Sequence, residues 1–132
     1  MREINRSVIE QFRAGGEIEG MHRERLVLLT TVGRRTGIRR TTPMMFHAEG
    51  DRLLVIASNV GAARHPDWYL NLLAEPRVGV ELSHDTYDAL ATTTEGEERE
   101  TLWARLKATY PFFVDHEARA DRTIPVVALT RL

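Results

Sequence analysis

One polar segment, residues 30–43, lies between two apolar runs and strongly restricts the folds open to this chain. The apolar runs are residues 26–29 before the segment and residues 44–46 after it. Two apolar runs joined by a polar, glycine-bounded segment predict a β-hairpin. Gly33 and Gly37 are expected to supply the left-handed backbone angles that such a connection needs. The centre of the predicted fold is therefore an antiparallel pair of strands.

The same segment concentrates positive charge. Its arginines are Arg34, Arg35, Arg39 and Arg40, and the hydroxyls beside them belong to Thr36, Thr41 and Thr42. A guanidinium group stays charged and presents a planar fork of donors that matches phosphate and carboxylate oxygens. Because crowded cations repel one another, a bound polyanion would relieve the repulsion. The segment is either an anion-binding loop or an exposed turn with solvated arginines, and the residues alone leave both readings open.

Composition removes several classes of function. The formal net charge is only -1, whereas a nucleic-acid-binding domain is usually basic or carries a broad basic stripe. The chain has no cysteine, which excludes disulfides, thiolate metal sites and cysteine nucleophiles. The five histidines lack metal-ligand spacing, and no G-x-S-x-G or G-x-G-x-x-G sequence occurs. A metal enzyme, a serine hydrolase and a doubly wound nucleotide-binding fold are therefore not expected.

The length of 132 residues fits one domain, residues 1–132, with residues 1–20 as an N-terminal helix and linker. Within that part, Ile4, Val8 and Phe12 recur at helical spacing until Gly15 ends the pattern. This helix is expected to pack on the domain, with a peripheral membrane contact as the alternative. No apolar signal core lies in residues 1–20 and no run reaches the ~20 residues of a membrane span. A cytoplasmic protein is expected.

Two further helices are predicted after the hairpin. One begins at Pro66, placed in its first turn, and stops before Pro76. The other follows a capping box made by Thr94 and Glu97, and Pro111 ends it.

Short strands account for most of the remaining chain. Residues 53–58 read as a strand buried on both faces. Residues 77–82 and 86–93 read as a second hairpin, and residues 124–129 as a last strand. Pro43 places its own strand at a sheet edge or bulge, because proline cannot donate to the ladder. Hairpins interrupted by helices favour a small antiparallel barrel over a parallel sheet.

Five segments, taken in order, resemble the deazaflavin-dependent nitroreductase family. They are residues 28–37 (LLTTVGRRTG), 40–44 (RTTPM), 57–61 (ASNVG), 66–72 (PDWYLNL) and 121–125 (DRTIP). The G-R-R-T-G loop and the P-x-W-Y-x-N-L segment are the most specific. The resemblance implies an α+β or mainly β fold, a split β-barrel of antiparallel strands like that of FMN-binding proteins. It also implies an N-terminal helix and two further helices.

The resemblance implies coenzyme F420 as cofactor, a deazaflavin with a phosphodiester and an oligoglutamate tail. By position, the basic loop would hold the anionic tail. The segments 42–45 and 56–59 would line the ring and its ribityl chain, and the helix after Pro66 would close the site. The implied cofactor-binding residues are Arg34, Arg35, Thr36, Arg40, Thr41, Thr42, Pro43, Met44, Met45, Ile56, Ala57, Ser58, Asn59, Asp67, Trp68 and Asn71.

The implied function is that of an oxidoreductase that transfers hydride from reduced F420 to an electron-poor organic acceptor such as a quinone or nitro compound. Tyr110 is expected to donate a hydrogen bond to the acceptor oxygen as charge develops there. Two alternatives are an FMN-binding split-barrel protein, since one phosphate would also suit the arginines, and a non-catalytic F420 carrier. The expected partner is a small-molecule acceptor, with neither nucleic acid nor a transmembrane segment, in a monomer or homodimer.

The chain departs from the family's nitroimidazole-reducing member at several positions. That member has a tyrosine where this chain has Met45, and three tyrosines, spaced three apart, where this chain has Tyr110, Phe113 and His116. The pocket is therefore expected to favour apolar acceptors over nitroimidazoles. Residues 112–122 fit neither a clean strand nor a long helix and are expected to form a mobile lid over the acceptor.

Overall fold

The computed structural model describes residues 2–15 and 23–132, with side chains from residue 5 onward. Its helices are α1 (Arg2–Ala14), α2 (Asp67–Ala74), α3 (Gly96–Thr109) and α4 (Phe112–Ala120). Its strands are β1 (Leu26–Val32), β2 (Arg39–Met45), β3 (His47–Glu49), β4 (Arg52–Ile56), β5 (Arg77–Glu81), β6 (Thr86–Thr93) and β7 (Val126–Arg131). Two single 3-10 turns span Arg23–Arg25 and Asn59–Gly61.

The strands form one curled antiparallel sheet in the order β2-β1-β5-β6-β7-β4-β3. Both predicted hairpins are present, because β1 pairs with β2 and β5 pairs with β6. Pro43 lies opposite Leu28 on β2, the edge strand, where its missing donor costs no ladder hydrogen bond. The predicted split barrel of antiparallel strands is thus confirmed.

Each face of the sheet is covered, which explains the unbroken apolar runs. Leu53 and Val55 of β4 point into the inner core, which α2 closes with Tyr69 and Leu72. Leu54, between them in sequence, points into an outer core. That outer core lies under α3 and α4 and contains Leu102, Trp103, Leu106, Phe113, Ile124 and Val126. Burial of this strand on both faces, as the sequence indicated, is confirmed.

Helix α1 covers a third patch of the sheet. Val8 and Phe12 are buried against Leu26 and Leu28 of β1. The helix ends before Gly15, which adopts φ +80°. Arg13 forms an ion pair with Glu81 of β5 at 2.7 Å. The prediction that this helix packs on the body of the domain is therefore confirmed, although Gly16 and the rest of the predicted linker lie outside the described residues.

Three local predictions were wrong. Thr94 does not cap α3, because its hydroxyl donates to the backbone carbonyl of Val126 at 2.8 Å, and Glu95 occupies the N-cap position. Pro66 precedes α2 as its N-cap residue instead of lying in the first turn. Residues 112–120 form helix α4, the fourth of the helices in the described part. Burial of Phe113, only 3% exposed, against Trp103 supplies the stabilisation that the local pattern did not reveal.

Candidate active site

The β1–β2 connection is a tight loop built on its two glycines. The Gly33 amide donates to the Ile38 carbonyl, and the Gly37 amide donates to the Gly33 carbonyl, both at 2.8 Å. Gly37 has the expected left-handed conformation, φ +73°. Gly33 does not, and is required for space instead, since a Cβ there would lie 2.7 Å from Thr36 Oγ1. The expectation of left-handed angles at both glycines was therefore wrong for Gly33.

Arg34 fastens this loop to α2. Asn71 Oδ1 accepts hydrogen bonds from the Arg34 backbone amide at 3.1 Å and from its guanidinium at 2.9 Å. The guanidinium also lies 3.4 Å from a carboxylate oxygen of Asp67, whose side chain is mostly exposed. Asn71 is buried and its Nδ2 donates to Thr31 Oγ1 at 3.4 Å. A buried amide thus fixes the position of the loop relative to the sheet and the helix.

A groove of about 840 Å³ runs past this loop. It is bounded by the loop, by β2, by the N-terminal end of α2 and by the polar face of α1. The site residues expected from the sequence that line it are Arg34, Arg35, Thr36, Arg40, Thr41, Thr42, Asp67 and Asn71. The structure therefore brings half of the expected cofactor-binding set into one concave surface.

The groove has an excess of positive charge that the protein does not neutralise. Within residues 5–15 and 23–132, no carboxylate forms an ion pair with Arg35, Arg39 or Arg40, which all line it. The carboxylates in the groove wall are Glu10 and Asp67, so the arginines outnumber them. Guanidinium groups gathered without counter-ions in a concave site favour an anionic ligand.

The α1 side of this groove is a feature that was not expected from the sequence. Asn5, Arg6, Ile9, Glu10 and Arg13 line it. The helical spacing of the polar positions 6, 10 and 13 is a signal that could have indicated this exposed face of α1.

Arg39 also lies in the groove wall, although it had been assigned no part in binding. It occupies the opposite face of β2 from Arg40, as strand alternation requires. Its guanidinium lies beside Gly79 of β5, where a Cβ would be in ordinary contact, 3.4 Å from Arg39 Nη2. On the same face, the hydroxyls of Thr30 and Thr41 are 2.7 Å apart and hydrogen-bonded. The groove thus wraps around the edge strand and reaches both of its faces.

The residues expected to line the ring lie farther along the sheet. Met44 and Trp68 pack, half-buried, against the inner core, whereas Met45, Ile56 and Tyr110 pack, half-buried, against the outer core. The groove lining includes none of these five residues, nor Pro43 or the segment 57–59.

The exit of β4 is held rigidly by Arg122. Its guanidinium donates to the carbonyls of Ala57, Ser58 and Arg64 at 3.1 to 3.2 Å. Asn59 and Val60 follow with φ values of 49° and 54°. Such a left-handed conformation is unusual for a β-branched residue and marks local strain. Ala57 and Ser58 are buried, so of the expected segment Asn59 is the exposed residue.

Two histidines sit against this exit. His116 Nδ1 lies 3.1 Å from Ser58 Oγ, and His65 Nδ1 lies 3.0 Å from Arg122. Burial lowers the pKa of His116, with a smaller contribution from nearby Arg119. Burial also lowers the pKa of His65, and Arg122 adds to the effect. Both rings are therefore held in the neutral form more strongly than a free histidine.

Tyr110 ends α3 and lies at the edge of the outer core. Its backbone amide donates to the Leu106 carbonyl at 2.8 Å, and its hydroxyl lies 2.9 Å from His47 Nδ1. Its ring contacts those of Phe112 and Phe113, with centroid distances of 6.1 and 6.0 Å. The Tyr110 hydroxyl and His47 thus form a polar pair beside these aromatic rings.

Metal-ligating residues are not gathered in this site. Over residues 5–15 and 23–132, no group of three histidine, aspartate or glutamate side chains is arranged to hold a metal ion. Among the same residues, none of the helices has the length and apolar character needed to cross a membrane.

Several known proteins are similar to this chain in sequence and in structure. F420H(2)-dependent quinone reductase Rv1261c of Mycobacterium tuberculosis is 32% identical over 108 residues, which are 80% of this chain and 72% of that protein. A solved F420-H2 dependent reductase (FDR-A) is 35% identical, with a TM-score of 0.72 over 83% of this chain and 99% of that one. A second solved structure, described as a domain-swapped dimer, is 34% identical, with a TM-score of 0.75 over 94% and 95% of the two chains.

A more distant solved structure shares the fold alone. HutZ, a heme storage protein from Vibrio cholerae, is 17% identical, with a TM-score of 0.62 over 94% of this chain and 87% of that one. The model of the family described as F420H(2)-dependent quinone reductase matches residues 2–131. The resemblance found in the sequence is confirmed. The chain belongs to the F420H(2)-dependent quinone reductase family, oxidoreductases whose cofactor is coenzyme F420.

Proposed function

We propose that this protein holds the anionic tail of coenzyme F420 in its arginine groove and delivers hydride from the reduced coenzyme to a quinone. The main support is the presence of three guanidinium groups, those of Arg35, Arg39 and Arg40, in one groove. Among the described residues, no carboxylate forms an ion pair with them. A phosphodiester and an oligoglutamate tail are the kind of extended anion that such a surface fits. Arg34, already tied to α2, fixes the loop that presents them.

The chain's own contribution to the reaction is binding and orientation. The bound deazaflavin supplies the hydride chemistry. Residues 42–45 lead along β2 from the groove toward the outer core, and we assign them to the ring. Met45 and Ile56 share that core with Tyr110, which supports placing the ring and the acceptor at this end of the sheet. Trp68, half-buried on α2, would close the inner side.

Tyr110 is proposed to act on the acceptor. Hydride addition to a quinone leaves negative charge on an oxygen, and a positioned hydroxyl stabilises such charge. The Phe112 ring beside it, 44% exposed, gives the surface an apolar character that suits a quinone. Quinones are therefore our proposed acceptor class. Nitro compounds stay a second candidate, because their reduction also places charge on oxygen.

The α1 helix is proposed to form a wall of the groove. The alternative was a contact with a membrane surface. Val8 and Phe12, which would serve that contact, are buried against β1 instead. Arg6, Glu10 and Arg13 face the groove. Location in the cytoplasm and the single-domain organisation of residues 1–132 stay predictions.

Oligomeric state is a separate question. The domain-swapped arrangement belongs to a solved relative. We propose a monomer or homodimer for this chain, and sedimentation analysis of the purified protein distinguishes the two.

Two binding titrations test the proposed function. Oxidised F420 and FMN are each titrated into the purified protein while the fluorescence of the ligand is followed. We expect F420 to bind more tightly, because its tail spans more of the arginines than a single phosphate does. Tighter binding of FMN would contradict the proposal.

Turnover then separates an enzyme from a coenzyme carrier. Reduced F420 is mixed with menadione, with and without protein, and the reappearance of oxidised coenzyme is followed. Oxidation faster than the protein-free rate is expected. A rate equal to the protein-free rate across a panel of quinones would favour a carrier.

A further inference from the structure

The His47 ring is the polar partner of the Tyr110 hydroxyl. His47 Nδ1 lies 2.9 Å from Tyr110 Oη, and the two rings meet edge to face with centroids 5.7 Å apart. We propose that His47 is a positioning residue for the reduction of the acceptor: it turns the Tyr110 hydroxyl toward the acceptor and replaces the proton that the hydroxyl gives up. This inference rests on the proposed role of Tyr110.

The backbone holds the two groups in fixed relation. His47 is the first residue of β3 and lies opposite Leu54 of β4, whose side chain belongs to the outer core. Tyr110 is held at the end of α3 by its bond to the Leu106 carbonyl. Both side chains are half-buried. The pair therefore lies at the boundary of the apolar surface, with one side packed and the other reachable from outside.

The direction of this hydrogen bond decides what Tyr110 can do. A neutral imidazole carries one proton, and Nδ1 is then either a donor or an acceptor. If Nδ1 accepts, the single Tyr110 proton points at His47 and is not available to an acceptor molecule. If Nδ1 carries the proton and donates to Tyr110 Oη, the phenolic proton is free to point outward. The proposed role requires the second arrangement.

The proton balance of quinone reduction gives this arrangement a purpose. The quinone gains two electrons and one proton as hydride, and the product is a hydroquinone with one negatively charged oxygen. Tyr110 Oη–H gives its proton to that oxygen, so an O–H bond forms on the product as the phenolic one breaks. His47 Nδ1–H then returns a proton to Tyr110 Oη while His47 Nε2 takes up a proton from solvent, so the ring stays neutral. Exchange of the ring protons with solvent restores the Nδ1–H form for the next turnover. The net reaction consumes one hydride, from the reduced coenzyme, and one proton from solvent.

The proton position is measured first, without cofactor or acceptor. Long-range proton–nitrogen NMR correlations of ¹⁵N-histidine protein report which ring nitrogen carries the proton. We expect Nδ1 of His47 to be protonated in the wild type and its signals to change in Tyr110→Phe. His84, exposed in the β5–β6 turn, is the control whose signals stay the same. An unprotonated Nδ1 at His47 would overturn the proposal.

Kinetics of four proteins test the coupling. The proteins are the wild type, Tyr110→Phe, His47→Leu and the double variant, with menadione as acceptor. A direct acid–base group contributes about 10²-fold to 10⁴-fold, and a residue that acts through it is expected to contribute less. We expect His47→Leu to lower kcat about tenfold with little change in KM, and to have no further effect once Tyr110 is phenylalanine. His47→Gln, whose amide can donate to Oη, should recover most of the loss, whereas His84→Leu should match the wild type.

The kinetic outcomes distinguish a failure of the His47 role from a failure of the Tyr110 role. A slow Tyr110→Phe beside a fully active His47→Leu overturns the role of His47 and leaves that of Tyr110 standing. Independent, multiplying losses in the double variant also overturn the coupling. A fully active Tyr110→Phe shows that Tyr110 does not act on the acceptor, and the role of His47 fails with it.

Discussion

Asn71 is the residue whose replacement tests how the arginine loop is held. Its Oδ1 accepts two hydrogen bonds from Arg34, one from the backbone amide and one from the charged guanidinium, and the side chain is only 4% exposed. Asn71→Leu keeps the size of the side chain and removes both bonds. It also leaves the buried Thr31 hydroxyl without its donor at 3.4 Å.

The expected cost follows from these contacts. A neutral hydrogen bond contributes about 0.5–1.5 kcal/mol and one to a charged group about 1.5–3 kcal/mol. Asn71→Leu should therefore lower the free energy of unfolding by about 2–4 kcal/mol. Because the loop would no longer be ordered before binding, F420 affinity should fall about tenfold, equivalent to ~1.4 kcal/mol.

Urea unfolding and F420 titration measure the two effects. Leu73→Ala is the matched control, since Leu73 lies on the same helix, is 55% exposed and is absent from the groove lining. It should change both quantities little. If Asn71→Leu retains the stability and the coenzyme affinity of the wild type, the loop is not held by this amide and the reasoning is refuted.

Two further outcomes follow from the junction between the β4 exit and α4, and Gly50, in the β3–β4 turn, supplies a control. Gly61→Ala should destabilise the protein by about 2–4 kcal/mol in urea unfolding, because φ is +80° and the new Cβ would lie 3.2 Å from the His116 backbone. Gly50 also has a positive φ, +63°, but a Cβ there would meet no neighbouring atom. Gly50→Ala should therefore lower the free energy of unfolding only through backbone strain, by about 1–2 kcal/mol. Equal losses in Gly61→Ala and Gly50→Ala would show that the contact with His116 adds nothing. Burial lowers the pKa of His65 and His116 from 6.5, so these histidines take up protons in the unfolded chain at a higher pH than in the folded protein. The free energy of unfolding should therefore be highest above pH 6.5 and decrease as the pH falls below that value. A urea midpoint that stays the same on both sides of pH 6.5 would contradict this expectation.

The hairpin and its arginines show what local sequence can reveal. Apolar runs around Gly33 and Gly37 specified two strands, and Pro43 indicated the edge, because each signal acts within a few residues. The connection between Arg34 and Asn71 joins residues 37 positions apart, and no periodicity indicates such a pair. The family resemblance identified Arg34 and Asn71 as site residues, but only the structure shows that they are hydrogen-bonded to each other.

Helix α4 shows where local reasoning fails. The sequence FFVDHEARA has a weak apolar stripe, so residues 112–122 were expected to be mobile, whereas 112–120 form the helix. Packing of Phe113 on Trp103 and the close approach of Gly61 to His116 fix it as a helix. Both contacts bring together residues from separate parts of the chain, and such packing outweighs local propensity.

The hydrogen bond between Tyr110 and His47 is also a contact between distant parts of the chain that the sequence does not reveal. A separation of 63 residues leaves no local trace, and His47 had been considered only as a possible metal ligand. Arg39 is a further instance, because alternation correctly places it opposite Arg40, but it does not reveal that the groove wraps around the edge strand.

The binding of F420 with and without its tail tests the central claim most directly. The claim is that the groove binds the tail through charge, independently of the ring. Dissociation constants are measured for F420 and for the deazaflavin core lacking phosphate and glutamates, with the wild type, Arg40→Ala and Arg105→Ala. Arg105, exposed on α3 and absent from the groove lining, is the charge-matched control.

We expect Arg40→Ala to weaken F420 binding about tenfold, the lower part of the range for a charged hydrogen bond, because the contact is exposed to solvent and salt. The deazaflavin core without its tail should bind weakly to all three proteins, and Arg40→Ala should leave its dissociation constant unchanged. Arg105→Ala should bind both ligands as the wild type does. If the core alone binds the wild type as tightly as the complete coenzyme, the arginines are only solvated and the account is contradicted.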